Sequence, residues 1–541
     1  MGRPSAGGYL AFLIFVLIVQ AALLLGKGVL LIDQHEGDAL HLLQIILRMG
    51  AGEWPHLDFT TPIGILAFAP ISWLVSLGIG VGHAITGGMV LVALIMVPAI
   101  WWVGYSRLST ASALLFGAFV IILCTALVYG GKDEVSSISM YYNRWAWAAA
   151  SLLVILIMVL PTRENDTADG LVVGLALSFL ALSKITFFVA FMPAVLLALI
   201  LRAKWRSLTV AFLVGAVAVA VMTALGGVDY WLAYIGDLRL VSASGIRPQP
   251  SATLAVLLIG PTFLTANLVL IAAVVLLRQA GHGVEGILLL VLAPAFVYVT
   301  YQNWGNDPKW LFLVMILMLA LRPDRRINNG FGWNVGRAMG VVAAVSGALI
   351  LPSVFNLTFA DIRHARLSRQ GFFQVLPGHK NSDIAMKASR MYAPARREAF
   401  PLSDPKLAAL VAKSTDRNTD VLFGQPLNKC RLAMGLVGVL HQMARDLETV
   451  DGIKGKTVFT ADTFSNLWLF GSTAPLKGGA PWYYGGNAGM DRADYVLVPL
   501  CPVTPRARSL VLQEIRQRAG QINLREVMRN DLFILLRRLP D

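Results

Sequence analysis

The stretch LIDQHEGDAL, Leu31–Leu40, places Asp33, His35, Glu36 and Asp38 directly after an apolar run from Tyr9 to Leu31. A carboxylate at the centre of a bilayer costs roughly 2.5–3.5 kcal/mol on insertion scales, so carboxylates this near the mouth of a span need a reason. One reason is chemical: a hydroxyl is a weak nucleophile until a neighbouring base takes its proton, and a carboxylate can do so. Further along, GEWPHLDFTTPIG carries His56 and Asp58, and GGKDEVSSISMYYNR carries Asp133, Glu134 and Arg144. Several acids converging on one aqueous pocket would suit Mg2+ or Mn2+. Lys184 is a lone charge between two apolar runs, a place from which a cation can absorb developing negative charge. Arg144, Arg247 and Lys309 are further cations beside polar loops. Plainer roles stand beside these. Glu36 and Asp38 begin an amphipathic segment over 36–49, where the helix dipole favours anions. Lys184 can snorkel to the membrane surface. His35 and His56 read as loop histidines, and the aromatics of MYYNRWAW as an interfacial belt.

The elements that must position these groups are membrane helices. Of the 541 residues 56% are hydrophobic and 14% charged, with mean hydropathy +0.66. Twelve apolar runs cover roughly 9–31, 63–81, 86–105, 110–129, 145–160, 170–183, 186–201, 208–225, 253–277, 285–301, 309–321 and 338–356. A run of about 20 apolar residues spans a ~30 Å hydrocarbon core. If all twelve crossed with the N-terminus inside, the basic loops LRAKWRS and RPDRR would face outward, against the tendency of Lys and Arg to stay inside. Laying 63–81 along the outer surface moves Arg107, Arg163, both basic loops and Arg278 inside. It also leaves the acid-rich 33–58 outside. Pro62, Pro70 and several glycines make 63–81 a poor straight span. The expectation is eleven spans, the N-terminus inside as an uncleaved first span, and all the polar, aromatic-rich loops outside.

Residues 1–356 form the membrane domain on this reading, and 357–541 a soluble α/β domain on the outer side. TVFTAD, NLWLF and DYVLVPL read as buried strands, 431–448 and 508–519 as amphipathic helices. The tail carries 26 Lys/Arg against 16 Asp/Glu, a balance suited to anionic lipid or glycan. No nucleic-acid-binding motif occurs. Of the three cysteines, Cys430 and Cys501 fall in the tail, where they form a disulfide in an oxidising compartment or remain two thiols. No CxxC or Cys/His spacing suggests structural zinc.

The arrangement resembles the GT-C superfamily of membrane glycosyltransferases, which take a sugar from a polyprenyl-phosphate carrier; the likeness is to its protein-mannosyltransferase and aminoarabinose-transferase types. It is carried by Asp33/Glu36 after the first span, by Gly52–Pro62, by Asp133–Glu134 in the next outer loop, and by GLVVGLALSFLALSKITFFVAFMP with Lys184. DPKWLFLVMILMLAL resembles a late span of that family. The acids here are spaced D-x-x-E-x-D, where the family often has an adjacent pair. The resemblance implies a bacterial inner-membrane enzyme with a periplasmic C-terminal domain and surface helices in its first outer loop. It would act on an envelope glycan, lipid or protein. Asp33 or Glu36, less so Asp38, would be the base. His35, Asp38, Asp58, Asp133, Glu134, Lys184, Arg144, Arg247 and Lys309 would contact substrates, with Asp133 and Glu134 as metal ligands. Transfer passes through an oxocarbenium-like state. Two other classes suit the totals: a lipid-linked glycan flippase, which would place its charges near the bilayer midplane, and a non-catalytic scaffold of an envelope assembly.

Overall fold

The computed structural model describes residues 2–131, 133–244, 246, 253–302, 307–393, 395–398, 420–484, 486–518 and 522–539. The chain forms two compact units. The first takes Met1–Leu30, Ile63–Val228 and Gln249–Leu367; the second takes Leu31–Pro62, Asp229–Pro248 and Ser368–Asp541. The expected boundary at 356/357 is therefore displaced. Helix Val335–Arg366 continues ten residues past it, and 31–62 and 229–248 fold with the tail instead of hanging as loops from the membrane unit.

In the first unit a helix lies over each of the eleven runs expected to cross. Among the described residues, six are long and apolar enough to span: Ala6–Leu25, Val81–Arg107, Asp166–Ser183, Trp205–Ser242, Gly283–Gln302 and Val335–Arg366. Thr110–Thr125, Ile185–Leu201 and Trp310–Ala320 are shorter. Tyr141–Met158 is buried at every position, which makes it the core helix of the unit. Its 18 residues extend ~27 Å at 1.5 Å per residue. The run over 63–81 becomes a 3-10 turn, Ile65–Ala67, and an eight-residue helix, Ala69–Ser76. Eight residues reach only ~12 Å, far short of the hydrocarbon thickness. Gly64 fixes where this segment starts. Its N–H donates to the Ser183 carbonyl at 3.1 Å, and a Cβ there would lie 2.2 Å from the Leu182 oxygen. The run at 253–277 breaks at Gly260–Pro261 into Leu254–Ile259 and Pro261–Gln279, since proline restricts the residue before it to extended backbone. Trp205–Ser242 is interrupted at Gly227, whose φ of 72° suits glycine; the chain passes to the second unit one residue later.

Hydrogen bonds between helix ends sort this unit into two faces. At one, Thr110 N–H donates to Gly2, Thr162 N–H to Ser106 and Arg3 to the Arg107 carbonyl. At the other, Lys27 donates to the carbonyls of Ala365 and Leu367, and Leu127 N–H donates to Asp361. The N-terminus therefore shares the face of Arg107 and Arg163. The loop at 127–139 shares the face on which the chain leaves at Leu30 and again after Leu367.

The second unit is built on a four-stranded sheet ordered Leu524–Arg529, Phe533–Arg538, Tyr495–Pro499, Val458–Thr460, antiparallel except for the last pair. Val511, Leu512 and Ile515 of helix Pro505–Gln517 pack with Phe459, Val496, Val498 and Ile534. Residues 466–470, expected as a strand, make a 3-10 turn at Leu467–Leu469. The helix expected over 431–448 is strand Cys430–Met434 followed by helix Leu436–Leu447, with Gly435 left-handed between them. Cys430 and Cys501 form a disulfide, Cα–Cα 4.9 Å, across 71 residues, a closure typically worth ~2–4 kcal/mol.

Candidate active site

The acids after the first helix belong to the second unit. Strand Leu30–Ile32 joins a three-stranded sheet whose central strand is Ile384–Lys387. Asp33 follows it, half-exposed. His35 takes a left-handed φ of 65° at the start of helix Glu36–Gly50 and makes no side-chain cap bond. Glu36 and Asp38 occupy the first turn, as the dipole favours, but their surroundings differ. Asp38 is half-exposed, whereas Glu36 is buried. Arg390 grips both Glu36 carboxylate oxygens, at 2.8 Å to Oε1 and at 3.0 and 3.1 Å to Oε2. Such a bidentate pair fixes position and makes Glu36 a clamp between this helix and the tail.

The rest of that helix is built into the same unit. Arg48 is buried and pairs with Glu53 while donating to the carbonyls of Asp58 and Leu476. Gln44 accepts from Trp468 at 2.9 Å. His41 packs edge-on to Trp482, and burial pushes its imidazole down to about 3, so it stays neutral. Asp58 accepts from the Trp54 N–H at 2.8 Å and has Lys477 at 3.7 Å. It shapes its own turn, as short acids do. His56 is buried, with Nδ1 2.8 Å from Asp237 Oδ2, and Asp237 also accepts from Thr61 N–H at 3.0 Å. Tyr230 and Tyr234 pack on the imidazole ring.

The remaining candidates belong to the first unit, on the face where the chain leaves at Leu30. Asp133 and Glu134 are exposed on the loop at 127–139. That loop is held from beneath. Asn356 donates to the carbonyls of Gly131 and Asp133 at 3.0 Å each. Arg144, fully within the protein, donates to those of Val128, Tyr129 and Ser139. Arg144 Nη2 has no hydrogen-bond partner among the described residues. Lys184 stands at the break between helices Asp166–Ser183 and Ile185–Leu201, its Nζ 5.3 Å from the Tyr142 ring centre. Lys309 is buried against Asp307, which also accepts from Ser353. That ion pair occupies its charge locally. Arg247 lies outside the described residues. Among the described residues no three His, Cys, Asp or Glu side chains group to hold a metal ion, so Asp133 and Glu134 gain no third protein ligand.

Sequence reasoning missed Arg390, Asp237 and the ion pairs of the opposite face. There Arg107 meets Asp169 at 2.5 Å, Arg202 meets Glu285 at 2.6 Å and Lys204 meets Asp166 at 3.0 Å. Charges at both ends of apolar runs were the available signal, but partners 38 to 83 residues apart carry no spacing that reveals them.

Two solved structures of ArnT from Cupriavidus metallidurans resemble this chain. The apo form has 11% identity and a TM-score of 0.40, with 97% of each chain covered. The form bound to undecaprenyl phosphate has 10% identity and a TM-score of 0.39, with 98% of each chain covered. No family model and no curated protein matches the chain.

Proposed function

We propose that this chain is a glycosyltransferase of the bacterial inner membrane, using a polyprenyl-phosphate-linked sugar and an extracytoplasmic acceptor. One observation carries the reading. In the first unit the acid loop at 127–139, Arg144, Lys184 and the exit at Leu30 gather at one end of the helices, whereas the opposite end carries the N-terminus and the paired arginines. One end is dressed for chemistry and the other for anchorage. Among the described residues, the charged groups named here lie at the helix ends, whereas a transporter would need them near the midplane.

The roles follow from the surroundings. Asp33, half-exposed three residues beyond the exit, takes the acceptor proton; Glu36 is committed to Arg390. Lys184 and the Arg144 Nη2 group meet the phosphate as it leaves with negative charge. Asp133 and Glu134 orient the sugar. A Mg2+ or Mn2+ ion there would add charge neutralisation, drawing its remaining ligands from phosphate and water, as such ions commonly do. The reading takes the N-terminal face as cytoplasmic and the tail as periplasmic; the arginines of that face and the disulfide of the tail support it.

The test is to reconstitute the full chain and supply a panel of polyprenyl-phosphate sugars with envelope glycan, lipid and protein acceptors. The expected result is release of polyprenyl phosphate from at least one donor, dependent on acceptor. Lipid transbilayer movement without release from any donor would overturn the proposal.

A further inference from the structure

The face opposite the acid loop holds a cleft that the transfer reaction does not use. It lies between the end of helix Pro261–Gln279 and the start of helix Val335–Arg366, with a volume of about 720 Å³. Val275 and Val341 make its apolar wall, and Arg326 and Arg337 line its rim. Phe331 and Trp333 also line it while remaining 83% and 67% exposed. These rings do not dangle. Asn329 Oδ1 accepts from the N–H groups of both Phe331 and Trp333 at 3.0 Å, and Asn329 N–H donates to the Trp333 carbonyl at 2.9 Å. These bonds hold the backbone of a turn that carries two large exposed rings.

Large exposed rings on an ordered turn beside an apolar wall call for an apolar occupant. Trp in particular favours the boundary between hydrocarbon and water. The charge calls for an anion: Arg326 and Arg337, both exposed, line the cleft, and the exposed Arg322, Asp324 and Arg325 precede Arg326 in the chain. A soluble phosphate would satisfy the arginines and leave the valine wall and the rings uncovered. A neutral lipid would satisfy the wall and leave the arginines unmatched.

We propose that this cleft binds one anionic phospholipid, its phosphate toward Arg326 and Arg337 and an acyl chain along the groove between the two helices. Neighbouring basic groups strengthen contact with an anionic lipid by roughly fivefold each. The experiment is native mass spectrometry of the full chain released from nanodiscs of mixed phosphatidylglycerol and phosphatidylcholine. Wild type should retain phosphatidylglycerol over phosphatidylcholine by roughly tenfold or more, and R326Q/R337Q should lose most of that preference. W333A should weaken retention of phosphatidylglycerol while keeping the headgroup preference, and R516Q in the tail should change nothing. Excess inorganic phosphate should leave the bound lipid in place. Equal retention of the two lipids by wild type, an unchanged preference in R326Q/R337Q, or displacement by inorganic phosphate would each overturn the proposal.

Discussion

The two faces of the membrane unit share out their ion pairs unequally. On the N-terminal face, cations meet carboxylates: Arg107 with Asp169, Arg202 with Glu285, Lys204 with Asp166. On the other face Lys309 pairs with Asp307, but Arg144 Nη1 and Lys27 donate to backbone carbonyls, and Asp361 accepts from the Leu127 N–H. Pairing cations with acids fastens helix ends but neutralises the acids. Tying a cation to carbonyls instead shapes a loop while its own acids, Asp133 and Glu134, stay exposed. The difference separates a face rich in ion pairs from one that leaves two carboxylates exposed on a loop.

The comparison breaks most sharply at the buried pairs. Arg107→Met should destabilise the protein by ~3–5 kcal/mol, because Asp169 is left charged and buried. The double change Arg107→Met/Asp169→Leu should recover most of that loss; thermal unfolding in detergent reads both. On the other face the effect should fall on rate. Lys184→Met should lower kcat by ~10²–10³-fold at nearly unchanged stability, as loss of one charge-stabilising donor does. Stability lost without a change in rate would make Lys184 a helix-end anchor. Glu36→Gln should cost ~1–3 kcal/mol through its weakened contact with Arg390 and leave kcat within a few fold. Asn356→Ala should have the smallest effect, ~1 kcal/mol, seen as faster amide exchange across 127–139.

Much of the membrane unit was legible because apolar run length and the placement of basic loops are properties of the linear sequence. The short helix at 69–76 was foreshadowed by Pro62 and Pro70 and by the sign of the loops on either side. The interruption at Gly260–Pro261 was visible as residues and missed, since the flanking apolar runs read as one. NLWLF was misread because a short apolar run looks the same in a strand and in a packed turn. The second unit's extent was hidden for a different reason. Helix Glu36–Gly50 belongs with the tail through Arg390, Leu476 and Trp468, contacts between residues more than 350 positions apart. The candidate acids were chosen from sequence alone, but the different surroundings of Glu36 and Asp33 could not be read there. They depend on one arginine in the tail.

That difference is the most direct point of test. Initial rates of polyprenyl phosphate release should be compared for Asp33→Asn and Glu36→Gln at matched folded protein. The account predicts a fall of ~10²–10⁴-fold for Asp33→Asn, the scale of a lost general base, with Glu36→Gln within a few fold of wild type. Full activity in Asp33→Asn, or the larger loss in Glu36→Gln, would contradict it.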